Sequence, residues 1–291
     1  MKRRLLAALV TTLAGLGLTA VVTPPAQAAT THQVRIDGSP LFSRSFQVVG
    51  VTGWLDANQV QTVTLEEGRD YRIYAAASAA DFTFGVDAAG HVRYAAAHET
   101  FLGGAGTDTL VLEGLEVTFD ARYLSGLGVL IAGVPAFPED WLRHETVRLL
   151  PAPVYAFQQG SGVIVNFRTA LRRDGTWSYD PRFDLGQGGY VTGNGTDTLT
   201  LHGFVLLIDA RAGGGDGVLL YEVAGLEFSY SGVQTAVVLP ADVFLLQVHA
   251  GQISRARFAI DDRGEIIFGA DMPLAVDRYD GVRRLTVTEP L

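Results

Sequence analysis

The segment Gly106-Thr-Asp-Thr-Leu-Val-Leu-Glu-Gly-Leu-Glu-Val-Thr-Phe-Asp-Ala-Arg122 returns later in the chain as Gly195-Thr-Asp-Thr-Leu-Thr-Leu-His-Gly-Phe-Val-Leu-Leu-Ile-Asp-Ala-Arg211. Each copy reads as two alternating strands joined at Glu113-Gly114 or His202-Gly203, the signature of a β-hairpin with a two-residue turn. A stretch repeated at this length marks internal duplication. The reading that follows is of an all-β protein made of related units.

Three units align. Their openings are Val63-Thr-Leu65 with Tyr71-Arg-Ile-Tyr74, Val147-Arg-Leu-Leu-Pro151 with Tyr155-Ala-Phe-Gln158, and Val237-Val-Leu-Pro240 with Phe244-Leu-Leu-Gln247. Each continues into a strand with inward positions two apart, Phe82/Phe84/Val86, Phe167/Thr169/Leu171 and Phe258/Ile260, a period that places them on one buried face. A turn follows in each, at Asp87-Ala-Ala-Gly90, Arg172-Arg-Asp-Gly175 and Asp261-Asp-Arg-Gly264, with glycine supplying the positive φ. The third unit stops after Leu285-Thr-Val287, and Gln33-Val-Arg-Ile-Asp37 aligns with Glu116–Asp120 and Val205–Asp209. The expected architecture is therefore one closed domain over 29–291. Its units cover about 63–146, 147–235, and 236–291 plus 29–62. They form a pseudo-threefold barrel, prism or propeller-like body. Strand 33–37 completes the third unit by pairing antiparallel with 284–288, which removes an exposed edge.

Lys2-Arg-Arg4, the apolar run Leu5–Val22 and Ala26-Gln-Ala28 form a secretory signal pattern, with cleavage expected after Ala28. No later segment is apolar enough to span a membrane, so a secreted, extracellular chain is expected. The remaining chain is acidic, and its only lysine is lost with Lys2. That composition argues against nucleic acid and anionic membranes as partners, and it removes lysine Schiff-base chemistry. The absence of cysteine removes disulfides and thiolate chemistry.

Leu150-Pro-Ala, Tyr155-Ala-Phe-Gln158, Asp174-Gly175, Tyr179-Asp-Pro-Arg182 and Leu206-Leu-Ile-Asp-Ala-Arg211 resemble a group of secreted actinobacterial repeat proteins of unassigned activity. The first unit departs from the pattern, with Glu66-Glu-Gly-Arg69 where Leu-Pro-Ala-Pro would stand, and the third lacks Tyr-Asp-Pro-Arg. The resemblance implies a secreted β-repeat body and brings no catalytic residues with it.

The sharpest chemical candidate is Gly103-Gly-Ala-Gly-Thr-Asp108, with its counterpart at Thr192–Asp197. Glycines and an aspartate in this order bind Ca²⁺ in stacked β-helices, which makes Asp108 and Asp197 the metal candidates. Stacked sites need a copy about nine residues on, whereas here the next copy begins only at Thr192. A glycine turn without calcium is the expected reading. Asp37, Asp120 and Asp209 read as strand-end turn formers, the last two with Arg122 and Arg211 as local partners. The histidines (His32, His91, His98, His144, His202 and His249) show no metal-ligand spacing. Trp177 is expected in the core, and Trp54 and Trp141 as packing anchors rather than ligand platforms. The chain reads as a non-catalytic, monomeric module that binds an extracellular protein, glycan or surface, or acts as a spacer. The alternative is a glycan-active hydrolase or lyase built on the same scaffold.

Overall fold

The computed structural model describes residues 29–75, 78–126, 128–132, 142–159, 163–212, 218–220, 227–228, 233–248 and 255–288. The signal pattern, Trp141 and His249 lie outside these residues. The described chain is all-β, with no helix as long as seven residues and no closed sheet.

Three four-stranded sheets share one connectivity. In the first, the order is Leu102–Gly103, Thr109–Leu112, Thr31–Asp37, Gln61–Glu66. The second repeats it with Val191–Thr192, Thr198–Leu201, Leu115–Asp120 and His144–Leu149. The third does so with Leu274–Tyr279, Val282–Val287, Phe204–Asp209 and Val233–Val238. The register is conserved as well. Parallel pairs place Ile36 opposite Leu110, Phe119 opposite Leu199, and Ile208 opposite Leu285. Antiparallel pairs place Val34 opposite Val63, Val117 opposite Val147, and Leu206 opposite Ala236. All of these side chains are buried, because period-two alternation sends one face of each strand inward.

The strand alignment in the sequence is thus correct, and the expected pairing is not. The strands flanking Glu113-Gly114 belong to different sheets: Thr109–Leu112 pairs with Thr31–Asp37, and Leu115–Asp120 pairs with Thr198–Leu201. These dipeptides join consecutive units instead of turning hairpins, and the sheets fall within 31–112, 115–201 and 204–287. Closure through the N-terminal strand is also corrected. Both edges of Thr31–Asp37 are taken by 109–111 and 61–66, and both edges of Val282–Val287 by 206–209 and 274–279. A strand has only two edges, so 33–37 and 284–288 do not pair. A hairpin and a crossing junction both call for a left-handed glycine, and this is why the sequence misleads. Gly114 has φ +67, and a Cβ there would lie 2.9 Å from Leu41 Cδ2 and 3.2 Å from Leu149 N. Gly203 has φ +68 and is equally crowded, by Leu124 and Val238 O.

Neighbouring units meet in one repeated way. The Phe42 amide donates to Arg148 O (3.0 Å), and the Ser125 amide to Val237 O (2.8 Å). Asp81 N donates to Pro151 O and Asn166 N to Pro240 O, at 2.8 and 3.1 Å. Leu150, carried by the second unit, is buried in the core cluster of the first. Leu239, carried by the third, is buried in that of the second. Fully buried Gln159 fixes the second boundary, accepting from Leu239 N at 2.8 Å and donating to Ser125 O at 3.3 Å.

The aligned turns form as the sequence predicts. Gly90, Gly175 and Gly264 have φ of +82, +82 and +75, and their amides donate back to Asp87, Arg172 and Asp261.

Candidate binding surface

The two glycine loops are nearly superposable in their bonding. Thr107 Oγ1 lies 2.8 Å from Gly104 O and 3.1 Å from Thr109 O, and Thr196 Oγ1 lies 2.9 Å from both Gly193 O and Thr198 O. Carbonyls that would turn toward a cation converge on a threonine hydroxyl. The backbone carbonyls of Asp108 and Asp197 accept from Arg35 N and Thr118 N, starting each parallel ladder. Their carboxylates are exposed and accept from Thr109 and Thr198 hydroxyls at 2.9 and 3.1 Å. Tyrosine hydroxyls brace the loops, Tyr94 accepting from Ala105 N and Tyr179 from Asn194 N. Among the described residues, no three His, Asp or Glu side chains gather as a metal site. This donor set fits a self-satisfied turn.

Asp120 and Asp209 are buried at their strand ends. Arg122 reaches Asp120 with Nε (2.9 Å) and Nη2 (2.8 Å), and Arg211 repeats the fork on Asp209. These guanidinium hydrogen bonds hold both carboxyls below the ordinary aspartate range. Asp37 accepts from Ser39 N, forming an Asx turn. Asp180 and Asp184 cap short 3-10 turns, accepting from Arg182 N and Gly186 N. Asp37, Asp120, Asp180, Asp184 and Asp209 thus all hold backbone amides.

The histidines are scattered. His98 is buried between Phe82 and Phe101, with ring centroids 5.9 and 5.4 Å away. It occupies the place that Phe183 takes in the second unit, where Phe183 packs on Phe167 and Tyr190. Burial, reinforced by nearby Arg173, pushes its pKa down. His202 is only partly exposed, stacked on Tyr123 at 4.8 Å with Nε2 3.1 Å from Thr192 Oγ1.

Trp177 is fully buried, in contact with Phe119 and Tyr155. Trp54 is not the packing anchor the sequence suggested, since 55% of it is exposed. It stands at the end of the loop joining strands Ser45–Val48 and Leu55–Asp56. That loop is tightly cross-bonded. Val48 N donates to Thr52 Oγ1, Val51 N and Thr52 N to Val48 O, Val49 N to Arg72 O, and Gln47 Nε2 to Thr52 O. Gly50 supplies the left-handed residue at φ +76. The Tyr74 ring supports Trp54 edge-on at 5.6 Å and 72°, and Val49 and Val51 of the same loop are also exposed. One cross-bonded loop thus carries three exposed apolar side chains, Val49, Val51 and the Tyr74-supported Trp54. Such side chains suit the apolar side of a sugar ring or an apolar side chain. The repeat alignment placed Trp177 in the core correctly, but Trp54 lies in a loop, where exposure depends on which side faces solvent.

No family model matches the chain, and no curated protein or solved structure is similar to it.

Proposed function

We propose that the chain is a secreted, non-catalytic β-repeat module that binds an uncharged extracellular glycan through the Trp54 loop. The carrying observation is a tryptophan held in solvent by a cross-bonded loop. Preorganisation of this kind lowers the entropy lost on binding. The acidic composition and the lack of lysine outside the signal pattern favour a neutral ligand over a polyanion. The capping roles of Asp120, Asp180, Asp184 and Asp209 favour binding over hydrolysis, because these carboxylates are committed to backbone and arginine. The secretory pattern at 1–28 and the resemblance to secreted repeat proteins support an extracellular location. The body is read as three tandem copies of one unit, left open at its two ends.

The test is co-sedimentation with insoluble neutral polysaccharides, comparing the protein with Trp54→Ala. The proposal expects retention on at least one polysaccharide, lost in the variant while the melting temperature holds. Retention that is unchanged in Trp54→Ala, or no retention on any neutral polysaccharide, contradicts it.

A further inference from the structure

We infer that Glu66 and Glu67 are an end-stop, keeping the outer face of the first unit from accepting another copy of the chain. The interior boundaries show what that face does elsewhere. Strands His144–Leu149 and Val233–Val238 are the last strands of their sheets, and each receives an amide from the unit before it, from Phe42 or Ser125. The residue after each strand, Leu150 or Leu239, is buried in the preceding unit's core, and a proline follows. Strand Gln61–Glu66 is the last strand of the first sheet and holds the equivalent place.

A tyrosine fixes the equivalence. Tyr155 OH donates to Leu150 O at 2.6 Å, and Tyr71 OH accepts from Glu66 N at 2.7 Å, five residues apart in both units. Glu66 therefore stands where the plug leucine would be, and Glu67 where the proline would be. Glu66 is partly exposed and paired with Arg69 at 3.3 Å. A carboxylate there would have to give up its hydration to enter an apolar core, which opposes docking. Terminal repeats of arrays commonly carry such polar outer faces.

Leu41 and Leu124 are buried beside Gly114 and Gly203, where the next unit's strand arrives. A head-to-tail contact between copies would build rings or filaments, and a carboxylate in the plug position acts against it.

Sedimentation velocity over a concentration series tests this with the full chain and with Glu66→Leu/Glu67→Pro. The expected result is a single monomer for the unaltered protein. The double variant should show a weight-average mass that rises with concentration, to at least about twice the monomer. Association of the unaltered protein, or a double variant that keeps the native circular dichroism and stays monomeric, overturns the inference. Leu150→Glu against Glu66→Leu serves as a second readout independent of assembly. The former should lower the melting temperature by many degrees and the latter by few, and equal effects contradict the plug assignment.

Discussion

The backbone amide of Phe42 donates to the carbonyl of Arg148 across the first unit boundary, and the bond is repeated one unit later between Ser125 and Val237. Around each bond the same set recurs: a left-handed glycine at the crossing, a leucine from the following unit in the preceding core, and a second amide-to-proline bond. The chain therefore extends by adding one contact geometry, with each unit completed by the next.

Leu150 and Leu239 should behave as core residues of units they do not belong to. Leu150→Ala and Leu239→Ala are each expected to cost about 2–5 kcal/mol. Hydrogen exchange should show the loss on both sides of the boundary, in strands 109–112 as well as 144–149 for Leu150→Ala. Protection lost on one side only contradicts a shared core.

The glycines of the first loop are expected to differ sharply. A Cβ on Gly104 would lie 1.8 Å from Thr109 O, while Gly106 has open space around it. Gly106→Ala should cost only the left-handed backbone strain, roughly 1–2 kcal/mol. Gly104→Ala should add a backbone collision and break the Thr107 hydroxyl contacts. Equal denaturant midpoints for the two variants would be inconsistent with this loop.

Calcium is not expected to support the fold, because the Thr107 and Thr196 hydroxyls already occupy the carbonyls that would face an ion. Melting in EDTA and in millimolar Ca²⁺ should agree within a degree or two. A large rise with Ca²⁺, absent in Asp108→Ala, would restore the metal reading.

His98 should make the first unit acid-sensitive. Its pKa in the fold is depressed, so the unfolded chain binds the proton more readily. The contribution is complete above about pH 6.5, the ordinary histidine value, and is lost as pH falls from there toward the depressed value. His98→Phe, which installs the residue type found at Phe183, should flatten the loss of stability between neutral pH and about pH 5. A parallel pH dependence in both proteins would remove His98 as the cause. Carboxylates such as Asp120 and Asp209 titrate lower and add their own loss in both proteins.

Much of this architecture is legible in the residues. Val34/Ile36, Val117/Phe119 and Leu206/Ile208 align, as do the three glycine turns, because alternation and positive φ leave local marks. The partners of those strands leave no such mark. Glu113-Gly114 satisfies the demands of a hairpin turn and of a crowded crossing equally, so the choice between them is made by Leu41 and Leu149, far away in sequence. Glu66 was visible as a departure from the repeat, but its meaning depends on knowing where Leu150 goes. Trp177 was legible as core from its strand position, whereas Trp54 stands in a loop, where no periodicity tells a packed ring from an exposed one.

The central claim is that Thr31–Asp37 lies parallel to Thr109–Leu112 in an open array, and a pair of engineered cysteines tests it most directly. The chain has no cysteine of its own, and Arg35 and Thr109 are register partners. Arg35→Cys/Thr109→Cys should oxidise to an intramolecular disulfide, while Arg35→Cys/Thr286→Cys, the pair that a closed ring would bring together, should stay reduced. Crosslinking of 35 to 286 with 35 and 109 unreactive would contradict the account.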